Sequence, residues 1–199
     1  VQKIHAAPED TGLPSLSMDS LLSTLADRVR AAAADQAPLR IRGGGSKAFL
    51  AGAAPRGEWL DTRPLAGIVS YEPSELVITA RAGTPLAELE AALAEQNQCL
   101  PFEPPHLRPG TTVGGMVAAG LSGPARASVG AVRDYMLGVS IINGRGEPLT
   151  FGGQVMKNVA GYDVSRLMAG SWGQLGVITD VSLKVLPMAP AEATLAFEC

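Results

Sequence analysis

Residues 157–179 read KNVAGYDVSRLMAGSWGQLGVIT, and the fold turns on how this stretch is read. A short helix with Asp163 as its N-cap is expected to end at Gly170. The small residues Gly170, Ser171, Gly173 and Gly176 then lead into an alternating strand. Glycines gathered before a strand let main chain approach a ligand or another backbone, because no Cβ stands in the way. By itself the run is equally a tight structural turn. Two further glycine clusters upstream change the balance.

The first is Arg42-Gly43-Gly44-Gly45-Ser46-Lys47, directly after the expected strand LRIR. Successive glycines can aim several backbone N–H groups inward and make a nest for an anion such as a pyrophosphate. Gly43, Gly45 and Ala48 also satisfy the GxGxxA fingerprint by letter, but the Rossmann reading fails. Gly52, Pro55 and Gly57 leave no room for a crossover helix before the strand expected near Glu58, and LRIR is charged at alternate positions, unlike a central parallel strand. A Walker loop fails on spacing at Lys47. The alternative is a flexible surface turn. The second cluster runs Pro109-Gly110-Thr111-Thr112-Val113-Gly114-Gly115 and continues to Gly120 and Gly123. Its hydroxyls offer donors and acceptors beside exposed backbone; a helix start packed tightly on a neighbour is the other reading.

Composition narrows the function. With 16 basic and 19 acidic residues among 199, the chain has no basic face to track a phosphate backbone, which excludes nucleic acid as a partner. Cys99 and Cys199 show no CxxC, and His5 and His106 are too scattered for a zinc site, so no metal centre is expected. The weakly polar run from Thr111 to Gly123 is too short to span a bilayer, so no direct membrane insertion is expected. The N-terminus lacks the layout of a secretory signal, and a cytoplasmic setting is the default. No nucleophile elbow, HExxH or serine or cysteine triad is present. Three separated clusters without acid–base machinery suggest a long ligand held mostly by backbone, with a cofactor supplying the chemistry.

The elements read as follows. Ser17 caps a helix whose face carries Leu21, Leu25, Val29 and Ala32. Short strands are expected at 58–60, 67–71 and 76–83. Thr84 and Pro85 start a helix with a Leu86, Leu89, Leu93 stripe. A strand at 137–142 turns through NGRG into a hairpin partner, and a last strand places Val177, Thr179, Val181, Leu183 and Val185 on one side. Tyr162 is assigned to the core on burial statistics, with Trp172 open between core and ligand. The fold class is α+β, with a helix-flanked subdomain to about residue 105 followed by a mainly antiparallel one.

The motifs RGGGS (42–46), TTVGG (111–115), RDYMLG (133–138), KNVAGYD (157–163) and GSWGQLGVIT (170–179) occur in this order. Together they resemble the PCMH-type FAD-binding family, the FAD-linked oxidases related to vanillyl-alcohol oxidase and D-2-hydroxyacid dehydrogenases. SGPAR (122–126), RDYMLG and KNVAGYD are similar to the FAD-binding subunits of bacterial glycolate oxidases. The resemblance implies a leader at 1–16, FAD-binding subdomains at 17–105 and 106–190, and the start of a C-terminal cap region at 191–199. It implies noncovalent FAD, because Ser46-Lys47 stands where covalent relatives often place histidine. Arg42, Gly43, Gly44, Gly45, Ser46 and Lys47 would wrap the pyrophosphate. Pro109, Gly110, Thr111, Thr112, Gly114, Gly115, Gly120 and Gly123 would line its ribityl side, and Gly173, Gly176, Val177 and Ile178 would meet the adenosine end. The implied activity is oxidation of a small 2-hydroxy acid, glycolate to glyoxylate, with electrons passed to a second flavoprotein subunit and an iron–sulfur subunit. Attachment to the inner membrane would then run through those partners. The alternative is a non-catalytic electron-transfer or structural subunit of the same complex. Trp172-Gly173-Gln174 replaces the Glu-Gly-Thr of hydroxyacid-oxidising relatives, and catalytic residues are left unassigned.

Overall fold

Ser17 does cap the first helix, α1 (Met18–Ala34): its hydroxyl accepts from Ser20 N at 3.2 Å, and Leu25, Ala26 and Val29 are buried. The computed structural model describes residues 17–50, 56–153 and 161–197, so the expected leader lies outside the described residues. After α1 come β1 (Leu39–Arg42) and β2 (Glu58–Asp61), which pair in parallel, Leu39 opposite Glu58 and Arg42 opposite Asp61. Parallel strands need a crossover, and the described part of this one holds only a 3-10 turn at Ala48–Leu50. The charged positions of LRIR are accommodated on the outer face, where the Arg40 and Arg42 guanidinium groups lie 3.6 and 5.0 Å from the Trp59 ring centre.

β3 (Ile68–Glu72) and β4 (Val77–Arg81) follow, then α2 (Leu86–Ala94) and a short β5 (Gln98–Cys99). Leu86, Leu89 and Leu93 are all fully buried, as the stripe requires. Thr84 does not cap α2. Its hydroxyl accepts from Gly67 N and donates to Gly67 O, at 2.9 and 3.0 Å, tying the helix entry to the loop before β3. Beyond the proline-rich loop lie α3 (Val113–Ala119), α4 (Arg126–Val129), β6 (Met136–Ile142) and β7 (Pro148–Gly152). Asn143 Oδ1 closes the β6–β7 hairpin by accepting from Arg145 N and Glu147 N. The chain ends with α5 (Val164–Met168), β8 (Val177–Lys184) and β9 (Leu186–Pro187), the last pairing with β5.

The main sheet has the order β3-β4-β8-β6-β7, antiparallel throughout. β8 is central, which is why Ile178 and Ser182 are buried along with the alternating set expected inside. The sheet draws β3 and β4 from before residue 105 and its other strands from after it, so a boundary at 105 does not separate two sheets. Burial divides the molecule differently. One core cluster joins the sheet to α2, α3 and α5; a smaller one packs α1, β1 and Leu60 of β2 on Leu65, Ile142 and Val177. Tyr162, expected inside, is fully exposed because it stands just ahead of the Asp163 cap with its side chain off the helix's packed face. Among the described residues, no helix is long and apolar enough to cross a membrane.

Candidate functional site

The three glycine clusters meet. At the end of β1, Thr62 holds the Arg42 carbonyl through both its N–H (2.9 Å) and its hydroxyl (3.2 Å), which fixes where the first loop departs. That loop runs against the second cluster so closely that a Cβ on Gly44 would sit 1.3 Å from the Gly110 carbonyl oxygen. A Cβ on Gly43 would come within 2.4 Å of Thr112 Oγ1. Ser46 Oγ lies 3.0 Å from Thr111 Oγ1. The third cluster docks on the far end of α3, where Gly170 N donates to Val117 O and Trp172 N to Ala118 O. Gly120 approaches Gly170, and Gly173 approaches Ile41 of β1, which closes the circuit back to the first cluster.

Several glycines are therefore explained by protein against protein. Gly114 packs on Ala82, Gly120 on Gly170, Gly123 on Glu103 and Gly176 on the Ile142 carbonyl, each with a prospective Cβ contact under 3.0 Å. Val177 and Ile178 are 3% and 5% exposed, so their side chains belong to the core. Only their main chain is left for a ligand: β4 pairing stops at Arg81 opposite Asp180, with Ala82 N reaching Thr179 O. Gly45 (φ +70°) and Gly110 (φ +84°) sit in left-handed backbone that favours glycine, with only the mobile Arg42 side chain pressing on the first. Gly115 faces nothing closer than Thr112 Oγ1, at 3.1 Å. Pro109 precedes Gly110 in the same exposed turn.

What remains open is chemically consistent. Among the described residues, the N–H groups of Gly44, Gly45, Ser46 and Lys47 meet no acceptor. Consecutive free amides with one left-handed residue among them form an anion-binding concavity. Beside them Lys47 is buried, its Nζ donating to Ser46 Oγ at 3.4 Å, and burial pushes its pKa below the usual lysine range. Arg42 folds its guanidinium over Gly45. Free amides and a buried ammonium suit a diphosphate, and the residues present fit a dinucleotide.

Two features escaped the sequence. One is the Arg40–Trp59–Arg42 stack, visible only once β1 and β2 pair in parallel. The other is the contact of His106 Nε2 with Glu90 Oε2 at 2.8 Å, where burial raises the Glu90 pKa and the neighbouring imidazole opposes the rise. It lies on the outer side of α2 beside a cavity of about 290 Å³ lined by Glu90, Cys99, Glu103 and Met188. No residue spacing announces it, since the proline-rich loop delivers the histidine. Among the described residues, no group of three or more His, Cys, Asp or Glu side chains is arranged to hold a metal ion. Lys157 and Asn158 of the KNVAGYD motif lie outside the described residues.

Backbone amides and one buried lysine, gathered where two core clusters meet, can receive an elongated anion, the chemistry expected of a dinucleotide-binding domain. The model of the FAD binding domain family matches residues 22–152, so the chain belongs to that family, and FAD is its cofactor. It is similar to the glycolate oxidase subunit GlcE of Escherichia coli K12, with 56% identity over 87% of this chain and 49% of the relative. The glycolate oxidase subunit GlcD of Bacillus subtilis is 29% identical over 64% of this chain and 27% of its own length. A D-lactate dehydrogenase of Archaeoglobus fulgidus is 32% identical over 80% and 35%. The chain thus spans about half the length of the first relative and about a third or less of the other two.

Proposed function

We propose that the chain is the FAD-binding part of a glycolate oxidase subunit, working on a small 2-hydroxy acid and passing electrons to partner subunits. FAD is held noncovalently, its diphosphate against the amides of Gly44–Lys47 and its ribityl side along Thr111–Gly115. The observation that carries the reading is the meeting of the three clusters at one junction, beside the amides of residues 44–47, which have no acceptor among the described residues. The choice of substrate rests on the 56% identity with the GlcE subunit. Bound FAD supplies two-electron oxidation, converting the 2-hydroxy acid to the 2-oxo acid with loss of two protons. The chain's own part is to fix the diphosphate by charge and main-chain dipoles and to orient what extends from it. The partners are a second flavoprotein subunit and an iron–sulfur subunit, through which the complex is peripheral to the inner membrane; substrate oxidation occurs on the cytoplasmic side.

One observation favours a second reading, in which the bound flavin relays electrons and the substrate is oxidised on a sister subunit. Among the described residues the cradle contains no carboxylate–histidine pair to receive a substrate proton; the one such pair, Glu90–His106, sits outside α2. Anaerobic titration of the full-length protein with glycolate separates the two. Bleaching of the flavin band in the isolated subunit supports the first reading, and bleaching only after partner subunits are added supports the second. A purified full-length protein that releases no flavin on denaturation refutes both.

A further inference from the structure

Lys47 is 9% exposed. Among the described residues its Nζ reaches one partner, the Ser46 hydroxyl at 3.4 Å, and no carboxylate stands within ion-pair distance. Ser46 is in turn engaged with Thr111 at 3.0 Å, so the hydroxyl beside the ammonium is already committed. The nearest charged side chain along the loop is Arg42, which bears the same sign and folds over Gly45. A buried ammonium without a carboxylate is unfavourable, because desolvation penalises the charged form and nothing returns the energy. Methionine would fill a similar volume without that cost. A cation kept in such a place, beside four amides with no acceptor among the described residues, marks a site completed by an anion.

We propose that Lys47 is the counter-ion of the FAD diphosphate, and that its uncompensated burial destabilises the cofactor-free chain so that FAD loading is coupled to the stability of the cluster junction. This rests on the FAD reading above and adds the residue responsible and the sign of its effect on the empty protein. Most ligand-contacting side chains affect affinity alone. Lys47 acts on affinity and on the stability of the empty protein in opposite directions, because the same charge that attracts the diphosphate is unpaired without it.

The experiment compares full-length wild-type protein with Lys47→Met, each stripped of flavin and then reloaded. Melting temperatures are read with and without FAD, and FAD affinity is read by quenching of flavin fluorescence. Removing the unpaired cation is expected to raise the melting temperature of the stripped protein by about 2–4 °C or more. FAD affinity is expected to fall about 10- to 100-fold, as for loss of a hydrogen bond to a charged group. The stabilisation gained on loading at a fixed FAD concentration therefore shrinks in the variant. An unchanged affinity in Lys47→Met overturns the inference, and so does a stripped variant that melts below stripped wild type. Failure of wild type to take up FAD refutes the cofactor reading itself, which keeps the two failures apart.

Discussion

Replacing Gly115 by alanine separates the two uses a glycine has at this junction. Gly115 lies within α3 in helical backbone, and a Cβ there would meet only Thr112 Oγ1, at 3.1 Å. That oxygen also accepts from Gly115 N at 3.2 Å as the helix cap, but it sits on a rotatable bond and can give by a few tenths of an ångström. Alanine is favoured over glycine in a helix interior by about 0.8–1 kcal/mol, which offsets the crowding. The stripped protein should therefore keep its stability to within about 1 kcal/mol, or about 2–4 °C in melting temperature for a chain of this size. The flavin behaves differently. In the cradle proposed above the ribityl side of FAD runs along this open face of α3, where the added methyl group would crowd it. Crowding a close-packed contact costs about 1–3 kcal/mol, which is roughly a 5- to 150-fold weaker Kd. Fluorescence titration of stripped Gly115→Ala with FAD, alongside a thermal melt, reads both quantities. A folded variant that binds FAD as tightly as wild type would remove residues 111–115 from the cradle and refute the reasoning.

Gly44→Ala should do the opposite: its Cβ must move about 2 Å to pass from 1.3 Å to the 3.4 Å of ordinary contact with the Gly110 carbonyl, so overpacking of about 3 kcal/mol lowers the melting temperature and flavin content together. A normally stable Gly44→Ala protein would contradict the close approach. The Arg81–Asp180 pair, 2.6 Å apart with side chains 24% and 16% exposed, bridges β4 and β8; Asp180→Asn should cost about 1.5–3 kcal/mol in urea unfolding by leaving the guanidinium under-paired. A loss below about 0.5 kcal/mol would make it an ordinary surface pair. Stripped wild type and Lys47→Met should also converge as pH rises. The folded pKa of Lys47 lies below its ordinary 10.5, so between the two values the unfolded chain binds more protons and wild-type stability climbs with pH. A gap between the two proteins that is constant up to pH 10.5 would argue against a buried charge.

The local signals translated directly into elements. Ser17 and the Leu25–Val29 face made α1, the leucine stripe made α2, and NGRG made the β6–β7 turn, because each depends on residues within a turn or two of one another. The pairing of β4 with β8 was not legible. Arg81 meets Asp180 across a gap of almost half the chain, and alternation specifies which face of a strand is buried but not its neighbour. That is why a division at residue 105 looked natural along the sequence, yet the sheet crosses it. Thr84 failed as a cap for a related reason: a hydroxyl before a proline-started helix has the right local chemistry, but Gly67 offered it both a donor and an acceptor from another part of the chain. Burial statistics placed Tyr162 inside because they take no account of its position one residue ahead of a helix cap.

The junction was legible as a place and not as a set of contacts. Glycine density located it, but Gly43, Gly44 and Gly120 are glycines because backbone or side chain of another cluster occupies the space a Cβ would take, and Gly114 because Ala82 does. The groups proposed to meet an anion are the amides of residues 44–47, unbonded among the described residues, and the Lys47 ammonium, and two of those four residues are not glycine at all. The two facts are linked physically. The loop at residues 44–47 can lie against the second cluster only if the two segments approach more closely than side chains allow, so on the proposed reading the packing glycines set the distance and other atoms do the binding. On that reading substitution at either kind of position is expected to lower flavin content, which makes flavin content alone a poor guide to role. The stability of the stripped protein distinguishes them: it falls when a packing glycine is filled, stays level when an open one is filled, and rises when the unpaired cation is removed.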